Sequence, residues 1–79
     1  MRYSSQIRAA RALLGWSQSK LARAAGVGLT TLQRIEQNAG VVKGNFSTIL
    51  KIQNVLEQAG IQFTDEAGEI GVRLQTSKR

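Results

Sequence analysis

The chain has 79 residues and a formal net charge of +6 at pH 7, and it contains neither cysteine nor histidine. A chain of this length forms one domain without a deep substrate cavity. It also lacks the residues of disulfides, thiolate nucleophiles and most zinc sites, so we expect no enzyme, no metal and no cofactor. Since no apolar run is long enough to span a membrane or to act as a signal peptide, we expect a soluble, cytoplasmic protein.

The first predicted helix begins at Ser4 or Ser5, either of which can act as its N-cap, and ends near Gly15. Its buried face is expected to consist of four apolar residues: Ile7, Ala10, Leu13 and Leu14. Trp16 follows the helix break. We expect its ring to be part of the core, although a lone tryptophan can also stack on a nucleic-acid base.

Two short helices joined by a tight turn are predicted between Gln18 and Gln37, with Ser17 as the cap of the first. Small or apolar residues recur at helical spacing across both: Leu21, Ala22, Ala25, Val27, Leu32 and Ile35. Gly26 lies where the chain must turn sharply, and glycine adopts a positive φ at the lowest cost. Together these features are typical of a helix-turn-helix, although an ordinary αα-hairpin uses the same apolar spacing.

A fourth helix is predicted from Phe46 to Ala59, after a glycine-containing loop over Asn38–Gly44. Asn45 is expected to cap this helix and Gly60 to end it. Five residues with helical spacing are expected to close the core over the first three helices: Phe46, Ile49, Ile52, Leu56 and Ala59.

The pattern changes after the fourth helix, because apolar and polar residues alternate over 61–64 and 70–74 with a turn-like stretch at 65–68. This alternation predicts a β-hairpin over 61–74, followed by a polar, disordered tail at 75–79. Two isolated strands are only marginally stable in water. The hairpin must therefore pack on the helices or pair with a second copy, which makes it a candidate dimerisation element.

The positive charge is concentrated in the first half of the chain. Residues 1–35 carry six basic residues and no acid, whereas residues 36–79 carry five of each. The excess therefore lies in the part that contains the predicted helix-turn-helix, which indicates a polyanionic partner. A solvated basic surface without a partner is the alternative.

The stretch QSKLARAAGVGLTTLQRIEQ resembles the helix-turn-helix of the lambda-repressor and Cro-like family, often called XRE. The resemblance extends from about Ile7 to Ala59. It implies a mainly α, lambda-repressor-like domain of four to five helices over residues 1–60, here with a short C-terminal β-hairpin. Some compact members of the family have a similar GI-x-F … GVRL tail. In this family the second helix of the motif lies in the DNA major groove.

The resemblance also assigns roles to individual residues. In the recognition helix, residues 28–37, it implies base contacts by Leu29, Thr30, Gln33 and Arg34. It implies contacts with the DNA backbone by Gln18, Lys20, Arg23, Lys43, Gly44 and Asn45. The family pairs an arginine of the first helix with a glutamate of the recognition helix, here Arg11 and Glu36, although Arg11 could instead contact a phosphate. Gly28 departs from the family, which usually has serine or threonine there, so the helix start lacks a side-chain cap.

The chemistry of the implied base contacts is consistent with this assignment, since arginine bonds guanine, glutamine bonds adenine and apolar groups contact the thymine methyl. The resemblance therefore implies a sequence-specific regulator of transcription, most simply a repressor, that binds double-stranded DNA as a homodimer. The alternative is an antitoxin-like module that binds a partner protein through the hairpin and the exposed pair Val41 and Val42, with or without DNA autoregulation. RNA binding is a weaker interpretation, because the chain lacks aromatic stacking platforms.

Overall fold

The computed structural model describes residues 1–76, which form four α-helices followed by a two-stranded antiparallel sheet. The elements are α1 (Ser4–Leu14), α2 (Gln18–Ala25), α3 (Leu29–Gln37), α4 (Phe46–Gln58), β1 (Ile61–Glu66) and β2 (Glu69–Leu74). The predicted mainly α fold with a C-terminal hairpin is therefore confirmed, and the helices number four in the described residues.

A tight turn joins α2 to α3. Gly26 ends α2 in the left-handed conformation, with a φ of 71°. The N–H groups of Gly26 and Val27 then bond to the carbonyls of Arg23 and Ala22, which satisfies the end of the helix. Ala22 is 4% exposed, and its small side chain lets the two helices approach closely.

The core is built from all four helices and the first strand. Its buried apolar members are Ile7, Ala10, Leu21, Ala22, Leu32, Ile35, Ile52, Leu56 and Ile61. Trp16 is partly buried and packs against this cluster, as expected for a core tryptophan. Two residues predicted to be in the core are exposed instead: Leu13 is 47% exposed and Phe46 is 76% exposed. Ala59, also predicted there, is half-buried. Leu14 takes the inward position at the end of α1, and Phe46 begins α4 one turn before Ile49, which packs on the core.

Side-chain caps begin two of the helices as predicted. The Ser17 hydroxyl accepts a hydrogen bond from the N–H of Lys20 at 3.0 Å, which caps α2. The Asn45 side-chain oxygen accepts from the N–H groups of Ser47 and Thr48, at 2.9 and 3.3 Å, which caps α4. Each bond satisfies donors that have no partner within the helix.

The start of α1 differs from the prediction, because Tyr3 is the N-cap in place of Ser4 or Ser5. Ser4 is fully buried, and its hydroxyl donates to the carbonyl oxygen of Ile35 at 2.9 Å. That carbonyl lies near the C-terminal end of α3, where the helix leaves oxygens without internal partners. The serine therefore joins two helices and does not cap its own.

Gln6 connects the first helix to the hairpin. Its side-chain oxygen accepts from the N–H groups of Arg2 and Tyr3, at 2.7 and 3.0 Å. Its side-chain nitrogen donates to the carbonyls of Thr64 and Gly71, at 3.2 and 3.1 Å. Both donors of the amide and both acceptor positions are used, so this side chain, 2% exposed, is fully satisfied.

The loop between α3 and α4 is held against the N-terminal segment. The N–H of Ser4 donates to the carbonyl of Gly40 at 3.0 Å, and the N–H of Val42 donates to that of Arg2 at 2.8 Å. Val41 is 54% exposed, but Val42 is half-buried and packs against the core. The prediction that both valines are exposed is therefore wrong for Val42, because the backbone bonds turn its side chain inward.

The hairpin packs on the helices within one chain. The strands pair from Ile61 opposite Leu74 to Glu66 opposite Glu69, so the turn is shorter than predicted. Ile61 is buried, and three partly buried residues extend its apolar face over the core: Phe63, Val72 and Leu74. The N–H of Gln75 still bonds to the carbonyl of Gly60, at 2.9 Å. The last part of the predicted disordered tail, 77–79, lies outside the described residues.

Candidate nucleic-acid interface

One side of α3 faces away from the protein. Leu32 and Ile35 are buried in the core, as predicted, and Thr31 is half-buried. The four side chains predicted to contact bases are all exposed: Leu29, Thr30, Gln33 and Arg34. We call these four residues the reading face. Their spacing aligns residues 29 and 33, and residues 30 and 34, one above the other along the helix. The reading face is thus a continuous strip over both turns of α3.

The first turn of α3 lacks a side-chain cap, as the glycine at its N-cap implies. Gly28 has an extended backbone and, lacking a side chain, cannot accept a hydrogen bond from the N–H groups of the first turn. Its carbonyl accepts from the N–H of Leu32 at 3.0 Å, which is the first bond of the helix. The N–H groups of this turn are therefore left for solvent or a ligand.

An ion pair between Arg11 and Glu36 joins α1 to α3. The guanidinium binds the carboxylate with two parallel hydrogen bonds, Nε to Oε2 at 2.9 Å and Nη2 to Oε1 at 2.8 Å. Its third nitrogen, Nη1, donates to the carbonyl of Trp16 at 3.1 Å. Gln18, the first residue of α2, also donates to Glu36, at 3.1 Å. The network fixes the orientation of α3 relative to the other two helices.

The buried position of Glu36 matters for the charge of this surface. Its side chain is 2% exposed and is paired with a guanidinium, so the one acidic residue of α1 to α3 is neutralised. The other acidic residues are in α4 and the hairpin: Glu57, Asp65, Glu66 and Glu69. The surface around the reading face is consequently positive.

Arg8 is a basic residue of this surface that the sequence analysis did not assign. It lies one turn before Arg11, and its guanidinium donates to the backbone carbonyl of Glu36. It lines an open groove of about 440 Å³ between the helices, together with Arg11, Gln18, Gln33, Glu36 and Gln37. The three-residue spacing of the two arginines on one helix was the only sequence signal for this position.

The N-terminal end of α2 adds a second basic region. The Lys20 ammonium lies 5.2 Å from the centroid of the Trp16 ring, within the range of a cation–π contact. Arg23 is exposed one turn further along the helix. Gln18 directs its amide to Glu36, so its exposed group toward a phosphate would be its backbone N–H at the helix start.

The third predicted region lies where α3 approaches the start of α4. A groove of about 370 Å³ is lined by Arg34 of the reading face and by Lys43, Gly44 and Asn45 of the loop. The structure therefore brings these three predicted backbone-contacting residues next to a predicted base-contacting residue. This groove is formed by α3 and the loop that follows it, whereas the basic region described above belongs to α2.

A family model described as helix-turn-helix matches residues 7–58. The chain belongs to the helix-turn-helix family. It therefore carries a DNA-binding domain of the kind found in transcription regulators, formed by α1 to α4. The match ends before the hairpin. A comparison with curated proteins gave no match.

Two further findings concern the part of this helix-turn-helix protein that the structure describes. Within residues 1–76, none of the helices is both long and apolar enough to cross a membrane. The same residues contain no group of three or more histidine, cysteine, aspartate or glutamate side chains that could hold a metal ion. The individual DNA contacts assigned to the reading face, α2 and the loop stay predictions.

Proposed function

We propose that this helix-turn-helix protein is a sequence-specific transcriptional repressor, without enzymatic activity, that binds double-stranded DNA as a homodimer. The observation that carries the proposal is the reading face of α3. Its side chains are exposed, Gln33 lines a groove with Arg8, and Arg34 lines another with Lys43. The acid nearest in the chain, Glu36, is paired with Arg11. Such a surface attracts phosphates on both sides while it offers base-specific groups in between.

The reading face has the chemistry needed to distinguish base pairs. The Arg34 guanidinium can bond O6 and N7 of guanine, and the Gln33 amide can bond N6 and N7 of adenine. Each such two-bond contact discriminates against a wrong base by about 1–3 kcal/mol. The residues at the start of α2 and in the loop after α3 would fix the position of the helix on the phosphates.

The small size of one reading face supports a homodimer. One recognition helix samples only a few base pairs, whereas two related helices bound about 34 Å apart double the sequence that is read. The Cα extents of the protein are 34 × 28 × 20 Å, so two copies on adjacent turns of DNA come close enough to touch. The hairpin is a candidate for that contact, because β1 and β2 pair only with each other in the described residues and each keeps a free edge.

The test is selection from a random duplex DNA library with the wild type and Arg34→Ala in parallel at physiological salt. We expect a two-fold-symmetric motif for the wild type and the loss of one preferred base per half-site for Arg34→Ala. Lys51→Ala is the matched control, since Lys51 is exposed on α4 and lines neither groove beside the reading face. An unchanged motif with Arg34→Ala would contradict the docking of α3. A wild type that enriches no motif would contradict the proposed function.

A second candidate function is an antitoxin-like module that binds a partner protein. The observation that favours it is apolar exposure at residues outside the reading face: Val41 (54%), Phe46 (76%) and Ile70 (44%). The two functions are compatible in one protein, since the partner surface and the reading face use different residues.

The dimer and partner proposals can be separated by one set of variants. Ile70→Glu places a charge on the hairpin, and Phe46→Glu places one on α4, both at exposed positions that leave the core intact. Sedimentation over a range of concentrations tests self-association of each variant. Loss of the dimer with Ile70→Glu alone assigns the interface to the hairpin. A wild type that stays monomeric with and without its selected DNA, but binds a co-expressed protein, would favour the antitoxin-like function.

A further inference from the structure

Leu29 is an exposed leucine among polar side chains of α3. It is the first residue of α3 and is 39% exposed. It belongs neither to the buried core nor to the partly buried apolar residues that pack against the core. The other members of the reading face are Thr30, Gln33 and Arg34, so Leu29 is its one large apolar side chain. Its exposed apolar surface is therefore open to a ligand of α3.

The chemistry of the major groove limits what this leucine can recognise. A leucine side chain has no hydrogen-bonding group, so it gains nothing from phosphates or from the polar edges of bases. The apolar group that base pairs present in the major groove is the C5-methyl of thymine. A cytosine that carries a methyl group at C5 presents the same group at the same place. Both bases are 5-methylpyrimidines.

We propose that Leu29 reads a pyrimidine C5-methyl group, so that the protein distinguishes thymine from uracil and 5-methylcytosine from cytosine at one position in each half-site. The inference rests on the proposed DNA-binding function and adds the chemical identity of one recognised group. Burying one methyl group contributes roughly a fourfold change in affinity. The effect in a dimer with two half-sites is roughly the square of that factor.

The position of the methyl group follows from the helix geometry. Leu29 and Arg34 are five residues apart, and a helix rises 1.5 Å per residue, so about 7.5 Å separates them along α3. Successive base pairs are about 3.4 Å apart along the duplex. For a helix that lies along the groove, the methyl group should therefore lie within about two base pairs of the guanine that Arg34 is proposed to read.

The experiment uses the duplex that the wild type selects from the random library. Each thymine of a half-site is replaced in turn by uracil, which removes the methyl group and keeps every hydrogen-bonding group of the base. We expect uracil at one thymine to weaken wild-type binding roughly fourfold. Leu29→Ala should bind the thymine and uracil duplexes equally. Leu50→Ala is the matched control, since Leu50 is 40% exposed but lies on α4, and it should keep the wild-type sensitivity.

A second arm separates the two 5-methylpyrimidines. At the sensitive position, the T·A pair is replaced by C·G and then by 5-methylcytosine·G. We expect methylation to raise the affinity of the wild type roughly fourfold over cytosine, with no effect on Leu29→Ala. Because the DNA is altered and the wild-type protein is not, this arm does not depend on the folding of a variant.

Three results would overturn the inference. The wild type could tolerate uracil at every position of a motif that it selects clearly, which would leave the proposed function standing. Uracil sensitivity could persist in Leu29→Ala, which would assign the methyl contact to another residue such as Thr30. Methylation of cytosine could leave wild-type affinity unchanged. Failure to select any motif is a separate outcome, because it would contradict the proposed function itself.

Discussion

Glu36 shows how one buried acid can serve a surface that must bind a polyanion. A free carboxylate at the end of α3 would repel phosphates next to the reading face. Here it is buried, and Arg11 meets it with two hydrogen bonds at 2.8 and 2.9 Å. Buried ion pairs add little net stability, because both charges lose their hydration. Their main effect is on geometry, in this case the orientation of α3 relative to α1.

Removing one partner of this ion pair should be costly. We expect Arg11→Ala to lower the free energy of unfolding by about 3 kcal/mol, because the Glu36 carboxylate would stay buried without its charge partner. Replacing both partners by apolar residues, as in Arg11→Met with Glu36→Leu, should cost less than the single change. Urea denaturation measures both. Arg23→Ala is the control and should cost about 0.5 kcal/mol at most, since Arg23 is exposed on α2. Equal losses for Arg11→Ala and the double variant would contradict this account.

The hairpin turn contains a strained alanine. Ala67 has a φ of 55° in the two-residue turn between β1 and β2, and Gly68 follows with a φ of 77°. Positive φ at both positions is the type I′ geometry, which favours asparagine or glycine over alanine. Ala67→Gly should therefore raise the free energy of unfolding by about 1 kcal/mol.

Thermal denaturation tests this prediction through the melting temperature. Ala12→Gly is the matched control, because Ala12 is exposed within α1 and glycine weakens a helix. It should lower the free energy of unfolding by about 0.5–1 kcal/mol. Replacing alanine by glycine should thus change the free energy of unfolding in opposite directions at the two sites. A loss of stability with Ala67→Gly would show that Ala67 is not strained.

Among the elements, the hairpin is part of the domain and is not an appendage to it. Ile61 of β1 is 2% exposed and belongs to the core. Gln6 of α1 donates to the carbonyls of Thr64 on β1 and Gly71 on β2. Two strands alone are marginally stable in water, so these contacts with the helices explain why the hairpin forms in one chain.

Gln6→Ala tests the coupling between α1 and the hairpin. The change removes four hydrogen bonds of a buried amide and leaves the N–H groups of Arg2 and Tyr3 without acceptors. We expect a loss of about 2–3 kcal/mol in the free energy of unfolding. Relative to the wild type, amide hydrogen exchange in Gln6→Ala should accelerate more in β1 and β2 than in α2 and α3.

Gln53→Ala is the control for this experiment. Its amide bonds to Glu57 on the exposed side of α4, at 3.1 Å, where water can replace the bond. It should change neither stability nor the exchange of the hairpin appreciably. Uniform acceleration of exchange across all elements in Gln6→Ala would show that the glutamine supports the whole fold and has no special role in coupling.

Features that depend on neighbouring residues could be predicted from the sequence. Ser17 and Asn45 cap helices because their side chains reach N–H groups two or three residues ahead. The exposed strip of α3 followed from helical spacing. Ser4 could not be placed in this way, because its partner is the carbonyl of Ile35, 31 residues away. Phe46 has the right spacing for the core but lies beyond its edge, which only the packed structure defines.

Gln6 was missed for the same physical reason. Glutamine is usually exposed, and its burial here depends on acceptors 58 and 65 residues further along the chain. No local pattern contains that information. Among the candidate site residues, sequence reasoning could give the exposed strip and its basic flanks. It could not show that Gln18 is already bonded to Glu36, since the bond requires the relative positions of α2 and α3.

At the scale of the whole molecule, charge is distributed unevenly among the elements. The basic residues of the DNA-binding part lie in α1 to α3 and the following loop, whereas Asp65, Glu66 and Glu69 cluster in the hairpin. Such a distribution orients a protein as it approaches a polyanion, with the positive side first. Binding should then depend steeply on salt, because phosphates release counterions when basic residues replace them.

Salt dependence can be used to count these contacts. If Lys20 contacts a phosphate, Lys20→Ala should reduce the slope of log K against log salt by about 0.9. It should also weaken specific and unrelated duplexes by similar factors. Lys51→Ala is the matched control, since Lys51 is exposed on α4 away from the grooves beside the reading face. Titrations at several salt concentrations measure the slope, and equal slopes for the wild type and Lys20→Ala would exclude the contact.

The exposed strip of α3 also bears on how proteins built like this one diversify. Its four side chains are exposed, while the buried Leu32 and Ile35 on the opposite side hold the helix to the core. After gene duplication, one copy can therefore accumulate changes at these positions without loss of folding. If these side chains contact bases as proposed, the recognised DNA sequence can change while the scaffold stays the same, and a few mutations on one helix are enough for a new regulatory target.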